Sequence, residues 1–297
     1  SGLIQNTLGI NLAASLSSRV RFISQFVMNS NNKVINPHND PRAGTLPGLT
    51  PTRSYGTEKV EVQIAQGYVE YRTNDIFYIQ GGNGYAPFGI APQTREPVLF
   101  SRQGGPELLR TEGLINPSWS GIHIQGFKGV GEGTWGYNLY TTSAQPKPIV
   151  PGIGSRLWWA LSDEIATFGI SSQVGKNSSG YQTIGADVLL DFDRITLYAE
   201  YAKSFYPHDH DPFSFYVEPN FDLWDQIIFV YTFADFERSS QNKTLTLPDP
   251  YQRCQYGLGL NWLPASLIRL RTGFTYSDYT QNYRNFMSVN VSAGVSF

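Results

Sequence analysis

Apolar residues recur at every second position through most of this chain, and the positions between them are polar or charged. In residues 266–276, Ile268, Leu270, Thr272, Phe274 and Tyr276 oppose Arg269, Arg271, Gly273 and Thr275. In 251–262, Cys254, Tyr256, Leu258, Leu260 and Trp262 oppose Arg253, Gln255, Gly257, Gly259 and Asn261. The same pattern runs through 194–203, 212–221 and 285–297, and through 18–28, where Arg19, Arg21 and Gln25 oppose Val20, Phe22 and Phe26. A period of two is that of β-strands, whose side chains alternate between faces. Paired arginines on one strand face cannot meet a dry core, because an unpaired buried charge is costly.

Two architectures fit alternation of this kind. In a soluble β-sandwich the apolar face is the core; in a membrane barrel it meets lipid and the polar face lines a wet lumen. Turn spacing favours the barrel. Short connections are expected at 15–18, 72–75, 128–133, 162–164, 191–194, 223–225 and 263–266. They alternate with longer ones at 29–56, 83–118, 143–154, 175–180, 204–211, 237–250 and 277–284. Short turns on one rim and long loops on the other is the asymmetry of outer-membrane barrels. The expected fold is therefore an all-β transmembrane antiparallel β-barrel of about 14 strands, with roughly 12 to 16 as the range. A single domain spans 1–297, with 1–17 (which holds an extra alternating piece at 7–14) as an accessory segment or a further strand. At 7–14, Leu8, Ile10, Leu12 and Ala14 share one face. Within 57–72 the apolar parity switches, from Val60, Val62 and Ile64 to Val69 and Tyr71, which a bulge or an extension beyond the membrane would explain.

Composition agrees. Charged residues make up 15% and hydrophobic residues 40% of 297, with mean hydropathy −0.28, and no apolar run is long enough for a membrane helix. Net charge is −2 without a basic tract, which argues against nucleic acid as a partner. One cysteine, Cys254, excludes an internal disulfide and reads as a small wall residue. No basic-plus-apolar leader opens the chain, so an exported protein of this sequence is expected to be in its mature form.

Several short stretches resemble Gram-negative outer-membrane porins, in particular the families related to phosphate-selective porins. Val295-Ser296-Phe297 is similar to the C-terminal aromatic signal of such barrels. Gly67-Tyr68-Val69-Glu70-Tyr71-Arg72, then 76–82 and Ala86-Pro87-Phe88-Gly89-Ile90, resembles their strand-turn-strand-loop entry. Gly259-Leu260-Asn261-Trp262-Leu263-Pro264 with Ile268-Arg269-Leu270, and Phe215-Tyr216-Val217-Glu218-Pro219, fit as well. The resemblance implies location in the bacterial outer membrane, contact with lipid and lipopolysaccharide, and a homotrimer. Phosphate selectivity is not carried over, because the few lysines fall mostly in turns and loops.

The alternation nominates Arg19, Arg21, Arg253, Arg269, Arg271, Asp187, Glu200 and Glu218 as pore-lining residues. Barrel closure would gather the arginines on one wall, opposite the acids, and set a transverse field for ions and polar solutes. Inward pairs of Arg and acid that merely stiffen the wall are the alternative. The longest connection, 83–118, holds Phe88, Phe100, Leu108, Leu109, Leu114 and Ile115, too many apolar groups for a linker. It is expected to fold inward as a constriction loop carrying Arg95, Glu96, Arg102, Glu107, Arg110 and Glu112, or else to form an extracellular lid.

No catalytic residues are nominated: four histidines and no triad spacing leave no enzyme motif, and the glycine-rich 81–84 and 129–133 lack the helix and lysine of phosphate loops. The cluster His208-Asp209-His210-Asp211 offers at most a weak two-point metal site and reads as solvated loop charge, so no metal or other cofactor is expected. The expected function is passive diffusion of small hydrophilic solutes or ions. The alternatives are a closed or plugged barrel that scaffolds or sheathes another outer-membrane protein, and a soluble all-β binding protein.

Overall fold

A computed structural model describes residues 2–34, 59–74, 76–90, 115, 118–143, 151–161, 165–175, 181–205, 213–224, 227–239, 251–265, 268–279 and 286–295. These form fifteen strands: β1 (Gly2–Ser15), β2 (Val20–Val34), β3 (Lys59–Asn74), β4 (Phe77–Tyr85), β5 (Ser118–Val130), β6 (Gly133–Ser143), β7 (Pro151–Leu161) and β8 (Ala166–Gly175), then β9 (Tyr181–Phe192), β10 (Ile195–Phe205), β11 (Phe213–Trp224), β12 (Ile228–Ser239), β13 (Tyr251–Ala265), β14 (Ile268–Tyr279) and β15 (Phe286–Val295). They make one antiparallel sheet in which each strand is hydrogen-bonded to its sequence neighbours. No helix occurs among the described residues.

Strands β2 to β15 number fourteen, and the extra alternating piece at 7–14 lies within β1, which pairs with β2 along its whole length. The turns fall at the short connections the sequence marks. Val130 pairs with Gly133 around Gly131 (φ +61°), and Phe192 pairs with Ile195 around Asp193 (φ +48°). Both are two-residue hairpin loops with a left-handed residue first, the backbone that matches strand twist.

The chain divides into two compact units, Ser1–Val69 and Glu70–Phe297. In the first, Gln66 Nε2 donates to Gln25 Oε1 (3.1 Å), and Ser24 Oγ donates to the Gln66 carbonyl (3.4 Å). Arg19 belongs to the β1–β2 turn rather than to a strand face and is exposed, its backbone N–H donating to Ser17 Oγ. The side chains of 59–65, where the parity switch begins, lie outside the described residues; from Val69 on, β3 alternates with Glu70 buried between exposed Val69 and Tyr71.

In the second unit the usual partition is inverted. Fully buried side chains include Arg156, Gln173, Asn261, Thr183, Ser204, Ser214 and Ser277. Among the exposed ones are Ile153, Ile170, Leu157, Ile122, Met287, Val289 and Val291, the last 77% open. A soluble protein that exposed so many large aliphatics on consecutive strands would aggregate; a strand with lipid on one side is stabilised by them. The stacked series Trp135, Trp159 and Phe168 (centroids 5.9 and 6.1 Å apart) crosses β6, β7 and β8 near their short-turn ends, where aromatic girdles sit in membrane barrels.

Candidate functional site

Register brings residues far apart in sequence into rows across the buried polar face. Asp187 pairs with Glu200, Glu200 with Tyr216, Tyr216 with Asp235, and Asp235 with Gln255. All five are buried. Glu218 lies one inner position further along β11, opposite Tyr198. Three neighbouring strands, β10 to β12, thus carry carboxylates on the same face.

Asp187 is paired. Arg156 of β7 reaches over β8 to β9, its Nη2 donating to Asp187 Oδ1 (2.6 Å) and its Nε to Oδ2 (3.3 Å). The carboxylate crosses β8 above Gly169, where any side chain would collide with it. Neither charged side chain is accessible, and Arg156 Nη1 has no hydrogen-bond partner. Asp187 is thus held in a buried pair, the arrangement expected of inward charges that stiffen a wall.

The next row is made of small residues: Ser171, Gly185, Ala202 and Ser214 pair in succession across β8 to β11. They leave a trough in the wall, and the start of the β4–β5 connection fills it. Phe88, wholly buried, lies over Gly185 and clusters with Ala202, Tyr216 and Ile115, with Tyr198 against them. Gly89 donates its N–H to Ser171 Oγ (3.0 Å) and sits beside the Glu200 carboxylate at φ +68°, so a side chain there would meet both strain and a clash. Ala86 and Ile90 are buried too.

A second arrangement spans β3 to β6 midway along the strands. Gln80 Nε2 donates to Glu70 Oε2 (2.9 Å). His123 bridges Gln80 Oε1 (2.7 Å from Nδ1) and Asn138 Oδ1 (3.0 Å from Nε2). Trp119 and Tyr140 flank its ring at 5.3 and 6.2 Å. The relay places a carboxylate at one end and an amide at the other, and both border a cavity of about 150 Å³.

Of the nominated residues, Asp187, Glu200, Glu218 and Arg271 lie buried on the polar face. Arg21 is exposed on β2 opposite Ser15. Arg253 and Arg269 occupy strand positions opposite Glu237 and Gly294, but their side chains lie outside the described residues. So do Arg95, Glu96, Arg102, Glu107, Arg110 and Glu112 of the long connection, and the 208–211 cluster. Sequence reasoning missed Arg156, Asp235, Glu70, Gln80 and His123. Their signal was the inner parity of β3 to β7 and β12, which residues such as Trp158, Trp159 and Gly81-Gly82 obscure.

No protein-family model matches the chain, and no curated protein matches it in sequence. Solved structures do. OmpF of Salmonella typhi, in complex with daunomycin, superposes with a TM-score of 0.62 at 10% identity, covering 98% of this chain and 89% of that one. An anion-selective porin from Comamonas acidovorans gives 0.56 at 12% identity, over 97% and 83%. The trimer form of OmpT, an outer-membrane protein of Vibrio cholerae, gives 0.56 at 9% identity, over 97% and 88%. At these identities the likeness is one of architecture: the chain has the fold of the outer-membrane porin β-barrels.

Proposed function

We propose that the chain is a porin of the bacterial outer membrane, a passive diffusion channel for small hydrophilic solutes or ions. One observation carries this: buried residues on the strands' inner face are largely polar or charged, while the outer face is aliphatic and aromatic. A barrel of this strand number is too wide for its side chains to fill, which leaves an aqueous lumen. The segment 86–90, seated in the trough of β8 to β11, supports the constriction role of the 83–118 connection. Lipid and lipopolysaccharide are the expected surroundings, and a homotrimer is the expected assembly, one of the similar Vibrio cholerae structures being a trimer form.

The test is single-channel conductance in a planar bilayer, with the reversal potential under a salt gradient. Discrete steps are expected, with cation preference set by Glu200, Glu218 and Asp235. Anion preference would shift control to Arg253, Arg269 and Arg271. Apolar packing by Phe88 and Ile115 on the inner face favours one other reading, a plugged barrel that scaffolds or sheathes a partner. Silence from folded, heat-modifiable protein would select it.

A further inference from the structure

The cavity between β3 and β7 has the composition of a ligand site. Tyr78 and Phe127 stack at 6.1 Å with planes 21° apart, and the Arg72 guanidinium lies over Tyr78, 4.5 Å from its centroid. Trp158 closes the far wall by lying over Gly136, where any side chain would occupy the indole's place. Glu70 and Asn138 share the lining with these rings, each hydrogen-bonded into the Gln80–His123 relay. Arg72 Nε has no hydrogen-bond partner. The cavity is small, about 150 Å³, and open to the lumen side, which suits a single ring rather than a larger ligand.

We propose that this cavity is a binding subsite for a neutral sugar ring. One carboxylate and one guanidinium give it no preference for either sign of charge. Together with an amide they offer fixed acceptors and donors side by side, which suits vicinal hydroxyls, each both donor and acceptor. Aromatic faces suit the C–H side of a pyranose, which is apolar. The supporting relay fixes the polar groups before a ligand arrives, which lowers the ordering cost of binding. Its place near the short-turn ends of the strands puts it at the periplasmic end of the lumen, so its role in transport rests on the porin function proposed for the chain.

Saturation-transfer NMR with methyl α-glucoside and the whole chain folded in detergent reads binding without requiring conduction. Transfer to the sugar's ring C–H protons is expected, with affinity weakened about tenfold in Glu70→Gln and in Phe127→Leu. The leucine keeps apolar bulk and removes only the ring face, so it separates recognition from folding. No transfer, unchanged transfer in both variants, or tighter binding of benzoate or phenylalanine than of the glucoside would each overturn the subsite. Bilayer recordings on the same preparations distinguish the two proposals. Transfer without conductance keeps the subsite and removes the channel; conductance without transfer does the reverse.

Discussion

Phe88 and Phe127 are the same residue on the same polar face of one wall, in opposite circumstances. Phe88 is wholly buried in a trough of small side chains, over Gly185, one inner position along β9 from the Asp187 of a dry ion pair. Phe127 stands 45% exposed at the edge of a cavity, stacked on Tyr78 above a hydrogen-bonded relay. The first region is sealed and the second is open. In the sealed region the Arg156–Asp187 pair and the Gly89–Ser171 hydrogen bond rigidify the wall; in the open one the polar groups are held in place with capacity to spare. Substitutions should therefore act on stability in the first and on solute in the second.

The largest effect is expected at Arg156. Arg156→Ala leaves Asp187 buried and unpaired across Gly169, a loss of about 3–5 kcal/mol. The reading is urea unfolding from lipid vesicles, followed by tryptophan fluorescence. Arg156→Met with Asp187→Leu removes both charges and should recover most of the loss; failure to recover would mean that the pair does more than neutralise itself. Phe88→Ala comes next, at about 3 kcal/mol, toward the low end for a buried phenylalanine because the segment can resettle. Single-channel conductance should rise as the segment loosens. A stable variant of unchanged conductance would break the idea that this segment narrows the lumen.

Much of the fold was legible because strand periodicity and turn chemistry are local. The hairpins at Gly131 and Asp193 need only two residues each, and the parity read from the sequence holds through 254–262 of β13 and 270–276 of β14. The same alternation on β9, β10, β11 and β14 put Asp187, Glu200, Glu218 and Arg271 on the polar face, where they are buried. The seat of Phe88 did not follow from alternation, because it is a property of register. Ser171, Gly185, Ala202 and Ser214 are unremarkable one at a time, and become a trough only when four strands align them. Ser171 meets Gly89 across 82 positions of sequence. Arg156 was hidden for a different reason: Trp158 and Trp159 are both large and apolar, so β7 shows no clean alternation.

Gly89→Ala tests the same contact through the backbone. A methyl group must adopt φ near +68° and displace the Glu200 carboxylate, together about 1–3 kcal/mol. Because the wall is untouched, the loss should appear in the segment first, as faster proteolysis within 86–90 at temperatures where the strands remain folded. Simultaneous loss of strands and segment would show that the seat of Phe88 is integral to the sheet.

Phe127→Ala is the smallest expected effect and the sharpest counterpart to Phe88→Ala, since the chemistry removed is identical. The ring is half-exposed already, so truncation opens no closed void, and the transfer cost is a fraction of that at Phe88. What is lost is one stack on Tyr78, about 0.5–1.5 kcal/mol. Beneath it the relay from Glu70 through Gln80 and His123 to Asn138 keeps its hydrogen bonds, and Arg72 keeps its place over Tyr78. Urea midpoints for the two alanine variants should differ in that order, with Phe127→Ala close to the parent protein. Equal losses would mean that the Phe127 stack props the short-turn end of the wall. The open region would then be a structural joint, and its aromatic rings would owe their presence to packing rather than to a solute.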